Sequence, residues 1–194
     1  MKRWFLLVLM FAAALPVYAH EEETEKMELV LVNAGEGEAL SVGGDKVIIK
    51  TDGSQTEGEF ALMEYFVSPG GGPPAHVHHY EEESFYILEG QFEFTLDGET
   101  VKAGPGTFLK SPADIAHSLK NTGTETGRML VLVTPSGLED YFRKVGHKLP
   151  DISAPVPAFG PEDAAKLTAF APQFGLEFIP PAAETESLPA EKKA

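Results

Sequence analysis

An all-β domain of the sandwich or jelly-roll kind, followed by a short helical extension, is the fold class predicted by this 194-residue sequence. Three observations predict it. Short strand-like runs recur between Val47 and Val133, separated by Gly, Pro and Asp turn chemistry. No helical pattern alternates with them, which argues against a parallel α/β sheet. After Pro135 the apolar period changes from that of a strand to that of a helix.

The elements follow in order. Lys2 and Arg3, an apolar run from Trp4 to Leu15, and Pro16-Val17-Tyr18-Ala19 have the basic, hydrophobic, small-residue order of a secretory signal, with cleavage expected after Ala19. That run is too short for a stable span, and no later stretch approaches the roughly 18–20 apolar residues of a membrane helix. Residues 20–28, and the tail over 181–194, are acidic and lack apolar periodicity, so both are expected to be disordered. The β-domain is expected over 29–135, with strands at Val47 to Lys50, Phe60 to Val67, Glu83 to Leu88, Gln91 to Leu96, Thr107 to Lys110, His117 to Lys120 and Met129 to Val133. Asp97-Gly98 between two alternating runs is a two-residue hairpin signal. In the extension, 136–180, Leu138, Tyr141, Phe142 and Val145 recur at helical spacing and predict an amphipathic helix from Gly137 to Val145. A Pro-rich connector runs from Pro150 to Pro161. A second helix is expected to start at Pro161 and to be stopped or kinked at Pro172. No internal repeat suggests a second domain.

Composition bounds the chemistry. There is no cysteine, which excludes a disulfide, a thiolate ligand, a catalytic thiol and a lipidated cysteine. The formal charge is -15, and loss of Lys2 and Arg3 with the signal takes it to about -17. Such a surface repels nucleic acid and anionic membranes, which bind through Lys and Arg. The expected location is the periplasm or the exterior.

The informative segment is Gly70-Gly71-Gly72-Pro73-Pro74-Ala75-His76-Val77-His78-His79-Tyr80-Glu81-Glu82-Glu83. Side chains two apart on a strand share a face, so His76 and His78 can offer two imidazoles to one centre. A turn through Tyr80 to Glu82 can bring Glu83 back as an oxygen ligand. Glu81 and Glu82 read either as competitors or as a solvated charge run. His117, in the otherwise apolar Ile115-Ala116-His117-Ser118-Leu119, supplies a third imidazole. Three imidazoles and a carboxylate suit one divalent transition metal, such as iron, manganese, nickel, copper or zinc. His79 has the wrong parity and is expected at a rim or on the surface. His147 has no evident partner. A mature chain beginning at His20 would offer an amine and a ring to copper, but from a mobile tail without a rigid second histidine.

The spacing Gly70, His76, His78, Glu83, Gly90 resembles the first motif of the cupin superfamily at every fixed position. Gly104-Pro105-Gly106, Pro112, His117 and Asn121 resemble the second, with the usual proline-x-glycine element displaced to Gly-Pro-Gly. The resemblance is closest to single-domain cupins similar to quercetin 2,3-dioxygenase, and runs from Leu29 to Pro180, including Gly175-Leu176-Glu177-Phe178. It implies a double-stranded β-helix and a metal held by His76, His78, Glu83 and His117, the distance to Gly90 selecting Glu83 among the three glutamates. It also implies a dioxygenase using dioxygen on an aromatic or enolic small molecule, with Glu83 as base. Cupins commonly pair through barrel edges, so a homodimer fits the resemblance.

On the strand after Glu83, Phe85 and Ile87 share its face and are candidate cavity walls, whereas Tyr86 and Leu88 point away. Phe92, Phe94 and Phe108 are further candidates. Two other classes compete: a non-redox isomerase or lyase, and a protein that binds a small ligand or the metal without turnover. An anionic substrate would call for inward Arg or Lys. Lys110, Lys120 and Arg128 lie instead at strand ends.

Overall fold

The computed structural model describes residues 29–180. The expected signal over residues 1–19, His20, and the segments 20–28 and 181–194 expected to be disordered lie outside the described residues. Ten strands precede the first helix: β1 (Glu38–Val42), β2 (Asp45–Thr51), β3 (Ala61–Val67), β4 (His76–His78), β5 (Glu82–Glu89), β6 (Phe92–Leu96), β7 (Glu99–Ala103), β8 (Phe108–Ser111), β9 (His117–Asn121) and β10 (Gly127–Thr134). Then come α1 (Leu138–Val145), β11 (His147–Lys148), α2 (Pro161–Phe170), a 3-10 turn (Ala171–Phe174) and β12 (Leu176–Phe178). Seven strands form one antiparallel sheet in the order β11-β1-β2-β3-β10-β5-β8. Five form the facing sheet, β12-β4-β9-β6-β7. This is the double-stranded β-helix.

Alternation builds the interior. On β10, Met129, Val131 and Val133 are buried and the residues between them only partly so. Register then assembles rows across the large sheet: Phe85, Val131 and Met63 form one, and Ile87, Met129 and Tyr65 the next. Phe92 is 1% exposed, which contributes about 2–3 kcal/mol by removing its ring from water.

Two local signals read from the sequence act as expected. Asp97 and Gly98 both have positive φ, 48° and 81°, and close the β6–β7 hairpin with Leu96 opposite Glu99. That is the backbone of a type I′ turn, whose twist matches the strands. Pro161 opens α2 in the first turn, where its missing N–H costs nothing. Pro172 stands where the α-helix gives way to the 3-10 turn.

Several features go beyond the sequence reading. Strands β1 and β11 were not anticipated. The extension also supplies a strand, because β12 pairs with β4, setting Leu176 opposite His78 and Phe178 opposite His76. His147 has a partner after all: its Nε2 lies 2.7 Å from Asp163 Oδ1, joining β11 to the first turn of α2. Asn121, fully buried, ties the sheets together. Its Nδ2 donates to the carbonyls of Val67 and Glu125, both at 2.8 Å, and its Oδ1 accepts the Gly123 amide at 2.9 Å.

Candidate metal centre

Two sheets deliver the four candidate ligands to one point. His76 and His78 lie on β4, and His117 on β9 is the direct register partner of His76. Glu83 reaches across from β5 of the opposite sheet. All four are buried, and their donor atoms lie within 4.8 Å of one another. His76 Nε2 is 3.1 Å from His78 Nε2. Glu83 Oε2 lies 2.8 Å from His117 Nε2, 3.2 Å from His78 Nε2 and 4.0 Å from His76 Nε2. Donors about 2.0–2.2 Å from a shared ion stand roughly 3–3.6 Å apart in tetrahedral or octahedral geometry, so these spacings fit a single cation.

The outer nitrogens fix which lone pairs face inward. His76 Nδ1 donates to the Pro74 carbonyl at 2.8 Å. His117 Nδ1 faces the Ser111 hydroxyl at 2.8 Å and the Ile115 carbonyl at 3.2 Å. His78 Nδ1 faces Glu81 Oε2 at 3.5 Å, and neither atom has another hydrogen-bond partner among the described residues. At that length the two groups attract through charge rather than through a closed hydrogen bond. In each ring the outer nitrogen faces an oxygen atom and Nε2 is left to bind a metal.

This arrangement corrects the reading of the acidic triplet. Glu81 is neither a competing ligand nor solvated: it is 4% exposed and lies behind His78. Glu82 is the outward residue, paired with Lys110 at 2.6 Å. No parity rule separates them, because the chain turns between β4 and β5. His79 sits at the surface as expected, its Nδ1 2.7 Å from Asp114 and its Nε2 3.3 Å from Glu177.

The electrostatics are those of a site waiting for positive charge. Burial would raise the Glu83 carboxyl, but His78 and His117 hold it well below the usual carboxylate range. Burial opposes charge on His78, yet Glu83 and Glu81 outweigh it and raise its pKa to about 9. Burial, reinforced by His117 and His78, lowers His76 to about 4. A metal takes only neutral imidazole, so at pH 7 ligation must displace the His78 proton. The apparent metal affinity of chelator-stripped protein is therefore expected to rise about tenfold per pH unit from pH 7 up to about 9. Competition titrations at fixed ionic strength check this, and a flat profile would contradict it.

Above the centre lies a cavity of about 540 Å³, within the usual range for small-molecule sites. Phe85, Leu119, Val131, Leu176 and Phe178 are among its walls, and among the described residues neither Lys nor Arg contributes to them. Phe85 is the one phenylalanine of the sequence-derived candidates that lines it. Ile87, on the correct face, is buried in the core one row further along, as are Phe92 and Phe94. Phe108 is 62% exposed on the edge strand β8 beside Tyr86. Val131 and Phe178 were missed because their strands carry no ligand; the alternation in β10 was the available signal for Val131.

Two facing sheets carrying three imidazoles and a carboxylate at their centre define a protein able to hold one metal ion inside a β-barrel. Residues 63–133 match the cupin domain family, so this stretch of the chain is a cupin domain. The chain is 32% identical over 116 residues to quercetin 2,3-dioxygenase of Bacillus subtilis (strain 168), covering 60% of this chain and 34% of that protein. It is 35% identical over 91 residues to polyketide synthase CurC of Streptomyces cyaneus, covering 47% of this chain and 59% of that one. The chain thus spans between about a third and three-fifths of these relatives' lengths. Among solved structures, a predicted oxalate decarboxylase from Thermotoga maritima has a TM-score of 0.49 at 21% identity, covering 56% of this chain and 99% of that one.

Proposed function

We propose that this cupin is a metal-dependent dioxygenase that adds both atoms of dioxygen to a neutral aromatic or enolic small molecule. The observation that carries the proposal is the junction of a buried three-histidine, one-glutamate set with an apolar cavity whose described lining contains no Lys or Arg. Such a lining disfavours phosphorylated sugars and small keto acids, which isomerases and lyases hold through cations. The likeness to quercetin 2,3-dioxygenase over 60% of the chain points the same way.

A bound transition metal would acidify a coordinated hydroxyl and supply the redox chemistry toward dioxygen. The chain's own residues do the rest. Glu83 Oε2 stands beside the centre and accepts the proton of the substrate hydroxyl. Burial opposes charge on Glu83, but the His78 and His117 imidazoles hold its carboxyl well below the usual range, so it stands as a carboxylate able to accept that proton. Phe85, Leu119 and Phe178 exclude water from the reacting face. Both oxygen atoms enter the product, so no external reductant is needed. Export to the periplasm or exterior, read from residues 2–19, belongs to the same proposal.

The test is metal analysis together with dioxygen uptake across flavonols and catechols. One equivalent of a redox metal and one dioxygen consumed per substrate are expected. Stoichiometric metal without uptake in any case would overturn the oxygenase reading in favour of a non-redox or purely binding cupin.

A further inference from the structure

The metal-binding set leaves part of the cavity's polarity unexplained. Beyond that set, the polar side chains of the lining are Asp45, Tyr65, Tyr141 and Thr168. Two of these are occupied: the Tyr141 hydroxyl donates to the Leu167 carbonyl at 2.9 Å, and the Thr168 hydroxyl to the Ala164 carbonyl at 3.0 Å. Asp45, the first residue of β2, accepts the Ser68 amide through Oδ1 at 2.9 Å. The Gly72 amide and the Ser68 side chain also bond the Asp45 carboxylate, whose Oδ2 faces the Tyr65 hydroxyl across the cavity wall at 3.5 Å. A satisfied O–H···O bond is about 2.5–3.0 Å long, so the pair is in register but not closed.

The backbone of Tyr65 is offset along the sheet from that of Glu83. Tyr65 aligns through Met129 with Ile87, four residues beyond Glu83 on β5. The backbone offset along the strand is about 13 Å at ~3.3 Å per residue. Burial, then the carboxylates of Asp45 and Glu83, raise the Tyr65 phenol well above its ordinary value. The hydroxyl therefore stays protonated, and both it and Glu83 belong to the lining of the one cavity.

We propose that Tyr65 and Asp45 form a distal hydrogen-bonding subsite that selects aryl enols carrying a neutral phenolic hydroxyl at the end remote from the metal centre. The substrate class rests on the oxygenase reading above. A hydroxyl alone uses both partners: its oxygen accepts from Tyr65 and its proton goes to Asp45 Oδ2. A methyl ether or carbonyl only accepts. A carboxylate would face Asp45 with no cation in the described lining.

The metal-loaded protein, kept anaerobic so that turnover does not intervene, is titrated with 3-hydroxyflavone and 3,4′-dihydroxyflavone. Wild type is expected to bind the dihydroxy compound about tenfold more tightly. Tyr65→Phe, which removes one oxygen and keeps the ring, is expected to bring the two within about twofold while leaving 3-hydroxyflavone affinity unchanged. Asp45→Asn, which keeps an acceptor oxygen, is expected to retain part of the preference. Equal affinities in wild type, an undiminished preference in Tyr65→Phe, or failure of both flavones to bind would overturn the subsite. The two proposals separate cleanly. Turnover without the preference leaves the oxygenase and removes the subsite, and the preference without dioxygen uptake does the reverse.

Discussion

Replacing His76 with alanine is expected to weaken metal binding about a hundredfold or more and, in chelator-stripped protein, to flatten the acid limb of the stability profile. The first effect follows from the donor set. A closed four-ligand site is worth roughly 10–16 kcal/mol for zinc, so about 3 kcal/mol per ligand, or at least a hundredfold. His76 is also held from outside by the Pro74 carbonyl, and the donor cluster among the described residues holds only three other members. The second effect follows from its pKa. Burial, with His117 and His78, holds His76 at about 4, whereas in the unfolded chain it returns to about 6.5. Between those values the unfolded state binds the extra proton, so stability is present above pH 6.5 and is lost as pH falls toward 4. At 1.36 kcal/mol per unit this is about 3 kcal/mol. Alanine removes that dependence. The opposite slope from His78, whose stability contribution is present below pH 6.5 and lost as pH rises through about 9, should survive in the variant. Urea unfolding from pH 4.5 to 8.5, beside metal titration, separates the two effects. Unchanged metal affinity would remove His76 from the centre, and an unchanged acid limb would contradict its buried neutral state.

Much of this centre was legible because strand parity is a local property. His76 and His78 must share a face whatever surrounds them, and Asp97-Gly98 requires only two permissive dihedrals. What parity does not carry is depth. Phe85 and Ile87 share a face, yet one lines the cavity and the other lies in the core, because cavity depth depends on how far the opposite sheet stands away at that row. Phe108 failed for a related reason: an edge strand offers one of its faces to solvent, and edge position is a matter of topology. Glu81 was misjudged because the turn at Gly137, long after it in sequence, packs against its carboxylate. Likewise Asp45 and Tyr65 come together only through the pairing of β2 with β3. Strand β12 was visible as a motif fragment, but its place beside β4 depends on the path of the whole extension.

Alanine at Gly72 and at Gly70 should behave very differently, although the two glycines belong to one loop. The motif spacing singled out Gly70. Its φ of 76° favours glycine, but an added Cβ would meet nothing within 4 Å, so Gly70→Ala should cost only the left-handed backbone penalty, about 1–2 kcal/mol. Gly72 has φ 118°, a region that L-residues avoid, and its Cβ would be driven into the Leu119 carbonyl oxygen, with Leu119 Cδ1 at 2.9 Å and its carbonyl carbon at 3.0 Å. Neither side can yield easily. Leu119 is fixed on β9 opposite Phe94 of β6. The loop is pinned by hydrogen bonds from the Gly70 amide to the Asn121 carbonyl at 2.9 Å and from the Asn121 amide to the Gly71 carbonyl at 3.0 Å. Strain of about 1–3 kcal/mol plus overpacking of similar size gives roughly 3–5 kcal/mol for Gly72→Ala. That is a large fraction of the ~5–15 kcal/mol that holds a domain of this size together. The damage should also reach the chemistry, because Leu119 is two residues from His117: displacing β9 moves an imidazole out of position, so Gly72→Ala should lose metal affinity where Gly70→Ala does not. Urea midpoints and metal titrations of the two variants provide the comparison. Equal destabilisation would mean that the loop relaxes freely and does not brace the strand that carries His117.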